Sequence, residues 1–81
     1  MKIIKVLGSD EKAILLEFHV KTAIMQLGWD ASIEKVTDIK EIQKYKIYTL
    51  PALIINEKLI LKGTTPTTEE LKQILKGFKF K

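Results

Sequence analysis

The chain has 81 residues, 46% hydrophobic and 30% charged, with a formal net charge of +4, a balance that predicts one ordinary globular domain with a single modest core. It contains no cysteine, which excludes disulfide staples, thiolate metal sites, Fe–S clusters and any thiol redox cycle run by this chain alone. All 14 basic residues are lysine, so a nucleic-acid interface would lack the planar arginine fork that reads phosphates and bases.

The lysines are spread along the chain, with a mild cluster at Lys72, Lys76, Lys79 and Lys81, the pattern of a solvated surface. The longest apolar run falls far short of a bilayer span. Lys2 and Lys5 bracket a strand-like segment rather than a cleavable signal peptide, so a cytoplasmic protein without a membrane partner is expected.

In chain order, residues 2–7 carry Ile3, Ile4, Val6 and Leu7 and predict a strand inside a sheet, broken by Gly8. Ser9 or Asp10 is placed to cap a helix over 11–27, with Asp10 and Glu11 favourable against its macrodipole and Gly28 as its C′ residue. Leu16, Val20, Ala23, Ile24 and Leu27 form one stripe on that helix and predict its core face. Residues 31–36 alternate imperfectly, as suits an edge strand. Asp38-x-x-Glu41 resembles a capping box and opens a short helix expected to carry Ile39, Ile42 and Tyr45 inward.

Residues 50–55 run without a polar side chain and predict a strand covered on both faces. Pro51 cannot donate to a ladder and fits as the first residue of that strand. It pushes Leu50 into an extended conformation and opens the way to a cis Leu50–Pro51 bond, which would bare the Leu50 backbone at the lip of the sheet. Asn56-Glu57 reads as a tight turn, residues 58–62 as the returning strand, and Gly63 as its end. Thr67-x-x-Glu70 is a capping box that opens a last helix with Leu71, Ile74, Leu75 and Phe78 on one stripe. The predicted order is β-α-β-α-β-β-α, with a right-handed parallel crossover first and a hairpin near the end.

This order, with an X-Pro opening the third strand, resembles the thioredoxin fold. It is most similar to the small thioredoxin- and glutaredoxin-like proteins of the redox-active disulfide type. The resemblance is carried by Ile4-Lys5-Val6-Leu7-Gly8, Leu27-Gly28, Ile33-Glu34-Lys35-Val36-Thr37-Asp38-Ile39, Leu50-Pro51-Ala52-Leu53 and Gly63, and it covers nearly the whole chain. It implies a single α/β thioredoxin-like domain over residues 1–81, a four-stranded mixed sheet with helices on both faces.

Members of that family usually carry Cys-x-x-Cys between the glycine that ends the first strand and the first helical turns. Counted back from Leu27-Gly28, those places fall on Asp10 and Ala13, giving Asp10-Glu11-Lys12-Ala13 in a loop one residue shorter. The redox chemistry needs a low-pKa thiolate at a helix N-terminus and a second thiol to resolve the mixed disulfide. A carboxylate and a methyl group do neither, so the motif is degenerate and its activity is not carried over. The resemblance also implies a peptide-facing ledge: Leu50 offers its backbone N–H and C=O, with Pro51 behind it and Gly63 near the same edge. Where the family tends to have glycine after the second helix this chain has Lys46, which would be strained if the position needs a positive φ.

Asp10, Glu11 and Lys12 could form an acid/base cluster beside Pro51, although charged residues at a helix start are more often caps. His19 is the only imidazole, with no partners at metal-ligand spacing, and it flanks the core stripe, so a packed or half-exposed histidine is expected and neither metal nor cofactor. Thr64, Thr65, Thr67 and Thr68 follow no glycine-rich phosphate loop, and turn and capping duties explain them.

A second stripe on the first helix stands apart. At about 100° per residue, Ile14, Phe18 and Met25 fall opposite the core stripe, with Leu15 beside them and Trp29 placed to extend one end. Monomers seldom expose such a patch. It is either covered by a neighbouring helix, by the tail holding Phe78 and Phe80 or by a tilted packing, or it is a protein interface, a symmetric homodimer in the simplest case. Burying four such side chains at about 25 cal/mol per Å² would stabilise an assembly by several kcal/mol before association costs.

Three function classes follow. The favoured one is a non-catalytic thioredoxin-fold module that binds protein, peptide or itself. The others are a member of a disulfide oxidoreductase family in cell redox homeostasis whose thiols are lost or supplied by a partner, and a Lys-rich nucleic-acid binder.

Overall fold

The computed structural model describes residues 2–77. Its elements are β1 (Lys2–Leu7), α1 (Glu11–Leu27), β2 (Ala31–Val36), α2 (Ile39–Lys44), β3 (Ala52–Ile55), β4 (Lys58–Lys62) and α3 (Thr68–Gly77). They form one mixed sheet in the order β2-β1-β3-β4. β1 pairs parallel with β2 through Ile4↔Ile33, and antiparallel with β3 through Val6↔Leu53. β3 and β4 make the hairpin, with a bulge between Leu53 and Ile54. The predicted α/β order, the inner place of β1 and β3 and the edge place of β2 therefore stand.

Local chemistry explains the boundaries. Asp10 caps α1 by accepting the Ala13 N–H, and Gly28 closes the helix at φ 71°. Asn56 and Glu57 both adopt positive φ, 49° and 68°, which lets a two-residue turn match the twist of the β3–β4 hairpin. The capping box before α3 forms as expected: the Glu70 N–H donates to Thr67 Oγ1 and the Thr67 N–H donates to Glu70 Oε1, each at 3.2 Å.

Strand alternation divides the core between the two faces of the sheet. Ile4, Val6, Leu53 and Ile55 meet Leu16, Val20, Ala23 and Ile24 of α1 and Leu71 and Leu75 of α3 on one face. Leu7, Ala52 and Ile54 meet Ile42 of α2 and Ile47 on the other. All four residues of β3 are buried, because the strand is sandwiched between α1/α3 and α2.

Four expectations are corrected. Pro51 lies just outside β3, which starts at Ala52; its ring has no N–H for the ladder, while its carbonyl accepts the Gly63 N–H at 2.7 Å. Ile39 is 61% exposed rather than inward. A six-residue helix presents little more than one side chain squarely to a sheet, and Ile47 from the following loop takes the second place. Asp38 caps α2 through the Lys40 N–H rather than by a reciprocal box with Glu41. Ile74 sits at the rim of α3 rather than within the core, being exposed while Leu71 and Leu75 are buried. The expected role of Phe78, and cover of α1 by the tail that follows, fall outside the described residues.

Candidate functional site

Sheet register gathers the candidate residues at one end of the molecule. Leu7, the last residue of β1, pairs with Ala52, the first of β3, and Ala52 pairs with Lys62, the last of β4. The segments that leave or enter at that line are Gly8 to Ala13, Thr49 to Pro51, and Gly63. One end of the sheet thus brings together the Asp10–Ala13 segment, the proline and the glycine expected near it.

Two close approaches fix their relation. Gly8 has φ 136°, and a Cβ there would stand 2.9 Å from the Ala13 Cβ and 3.7 Å from the Pro51 Cα. Glycine is needed on both counts, since it alone permits that backbone at no cost and lets α1 close onto Pro51. Gly63 has φ 73°, and a Cβ there would lie 2.6 Å from Thr49 Cγ2. The segment before Pro51 is thereby pressed against the end of β4.

The motif positions differ sharply. Ala13 is fully buried, while Asp10, Glu11 and Lys12 are exposed. The Asp10 carboxylate is engaged by the Ala13 N–H at 3.1 Å, and its charge sits where the helix macrodipole favours an anion. It serves as a cap, and the three charged residues form no ion pair with one another.

The ledge is built differently. The Leu50–Pro51 peptide is cis. The Leu50 side chain packs half-buried on the α2 cluster, which holds its backbone in place. Among the described residues, no hydrogen bond engages the N–H or C=O of Leu50. An unpaired donor and acceptor on an anchored residue just beyond the end of an inner strand can pair with an extended segment of another chain.

Tyr48, two residues before Leu50, is 83% exposed. Sequence reasoning passed over it; an aromatic so close to the X-Pro bond was the available signal. Lys46 has φ 55° and donates its N–H to the Gln43 carbonyl, so the left-handed turn after α2 forms although no glycine is present.

The other candidates separate from this end. His19 is half-buried and bonds the Pro66 carbonyl through Nδ1 at 2.9 Å. A carbonyl only accepts, so Nδ1 carries the proton, and the ring ties α1 to the segment before α3. Ile14, Leu15, Phe18 and Met25 lie exposed along α1, with Phe18 at 63% and Met25 at 79%. Trp29 is drawn inward: it packs half-buried against the core, with the Lys2 ammonium 4.8 Å from the centre of its ring.

A groove of about 300 Å³ between β2, β1 and α2 was not visible in the sequence; Lys5, Glu34, Asp38, Glu41 and Tyr45 line part of it. Lys5 donates to the Tyr45 hydroxyl at 2.7 Å and lies 3.5 Å from Glu57. The tyrosine hydrogen bond chiefly, with Glu57, holds the ammonium above its ordinary pKa of 10.5. Asp38 is occupied as a cap and Glu41 by Lys44, so most of the polar groups in the groove are already satisfied. Among the described residues, no group of three His, Asp or Glu side chains is placed to share a metal ion, and no helix is long and apolar enough to cross a membrane.

Comparison with known proteins agrees with this architecture. A family model described as a thioredoxin domain matches residues 2–76. A thioredoxin of Methanocaldococcus jannaschii is 37% identical over 60 residues, 74% of this chain and 69% of that protein. A thioredoxin of Methanothermobacter thermautotrophicus is 33% identical over 61 residues, 75% of this chain and 79% of that one. A solved structure of a malarial protein superposes with a TM-score of 0.71 over 94% of both chains at 14% identity, which speaks to the fold alone. The chain belongs to the thioredoxin domain family, and it holds no cysteine.

Proposed function

We propose that this chain is a thiol-free thioredoxin-fold module that holds an extended segment of another protein along the Leu50–Pro51–Gly63 ledge without reacting with it. The observation that carries the reading is the anchored Leu50 with an unpaired N–H and C=O, beside a helix start that offers a carboxylate and a methyl group in place of sulfur. Main-chain pairing at Leu50 supplies affinity with little demand on ligand sequence. The exposed Tyr48 ring adds apolar area next to it.

The test is titration of the labelled protein with a permanently unfolded, cysteine-alkylated polypeptide, read by amide chemical shifts. Shifts centred on Leu50 and Gly63, with affinity weakened about three- to tenfold by Tyr48→Ala, are expected. Shifts confined to other surfaces overturn the reading.

The names of the two archaeal relatives favour a second reading, in which the chain serves disulfide exchange with thiols supplied by a partner. Disulfide reduction assays on an insulin substrate test the non-catalytic reading. Turnover above buffer by the purified chain overturns the non-catalytic reading. Turnover only after Asp10→Cys with Ala13→Cys supports it, and supports the placement of the motif at those positions.

A further inference from the structure

The outer face of α1 is separate from the ledge and carries its own pattern. Ile14, Phe18, Lys21 and Met25 follow one another along it at spacings of four, three and four residues, and all four are exposed. That is the seam of a helix made to lie against another helix. α1 already has an inner stripe buried against the sheet and α3, and among the described residues nothing covers this second seam.

The charges on the face indicate what lies against it. Lys21 stands in the middle of the apolar seam, and Glu17 lies on the same flank one turn earlier. Among the described residues, neither side chain makes an ion pair. A lysine inside an apolar seam is costly to cover unless the covering surface brings a carboxylate to it.

We infer that α1 pairs with α1 of a second copy of this chain, antiparallel, about a two-fold axis crossing the outer face midway between Phe18 and Lys21. In that register Ile14 meets Met25 of the second copy, and Phe18 lies along the aliphatic stem of its Lys21. A two-fold axis perpendicular to the helices brings like flanks together, so Glu17 of each copy reaches Lys21 of the other. The arrangement is self-complementary, as a closed dimer requires, and it gives each central charge an opposite partner. A helix of 17 residues is about 25 Å long, so the contact falls below the roughly 800 Å² per partner of a standard interface. The dimer is accordingly weak, with a dissociation constant on the order of 10–100 µM.

Sedimentation equilibrium of the full chain from about 5 to 500 µM tests this. The wild type is expected to pass from monomer to dimer. Phe18→Glu should weaken association at least tenfold, with an unchanged circular dichroism spectrum to show that the fold survives. Lys21→Glu and Glu17→Lys should each weaken it severalfold, and the double variant should recover most of the loss, because the exchanged charges meet again across the axis. A wild type monomeric throughout, or a dimer indifferent to Phe18→Glu, overturns the interface. Failure of the double variant to recover overturns the antiparallel register.

Discussion

The two faces of the sheet use the same strands to opposite ends. On the α1/α3 face, β1 contributes Ile4 and Val6, both fully buried. On the α2 face the same strand contributes Ile3, Lys5 and Leu7, which run from exposed through half-covered to buried. The first face has two helices of 17 and 10 residues over it, the second a helix of six. The lesson is a division of labour: one dry face supplies the stability, while the thin face is covered only near the sheet end, where it anchors Leu50 and the ledge.

That comparison is most directly broken by paired truncations. Leu16→Ala on the deep face should cost about 3–5 kcal/mol, since the site is fully enclosed, while Ile42→Ala on the thin face should cost about 2–3 because its surroundings can collapse. Urea unfolding checks both, and equal losses would erase the distinction.

Next in size is the contact that presses the ledge against β4. Gly63→Ala should cost about 2–3 kcal/mol, partly from the left-handed backbone and partly from the methyl of Thr49, 2.6 Å from the new Cβ. Thr49→Ser in the same chain removes that methyl and should return the steric share, leaving the backbone cost of about 1 kcal/mol. Thermal melts of the three variants resolve the parts.

A smaller effect, of opposite sign, is expected at Lys46. Its φ of 55° disfavours an L side chain, so Lys46→Gly should stabilise the domain by up to about 1 kcal/mol in the same urea assay.

The smallest concerns Lys5. Its ammonium is held above 10.5 by Tyr45 and Glu57. A raised folded-state pKa contributes stability that is fully present below the unfolded value and is lost as pH rises through the folded value, so the window lies above about pH 10.5. Tyr45→Phe should lower the Lys5 titration midpoint, read from its side-chain carbon shifts, and flatten the stability profile in that window. An unmoved midpoint would remove the tyrosine from the account.

Part of the site was legible without coordinates. A cap at Ser9 or Asp10, Gly28 as stop, the Thr67–Glu70 box and the apolar run after Pro51 are local signals, each set by backbone chemistry within a few residues. The exposed stripe of Ile14, Phe18 and Met25 could be computed from helical phase alone. Ile39 could not be placed, because whether a short helix buries its first turn depends on what lies beneath it, and Ile47 claimed the position. Trp29 was likewise decided by a core that the helix phase does not describe.

By itself the amino-acid order determined the elements, their sequence along the chain and the absence of a sulfur nucleophile, because those depend on neighbours and on residue type. Only the tertiary structure decided that Gly8, Ala13 and Pro51 touch, that Thr49 leans on Gly63, and that Lys5 finds Tyr45. Those contacts join residues as many as 43 positions apart, as Gly8 and Pro51 are, and strand register, which no local signal encodes, is what brings them together.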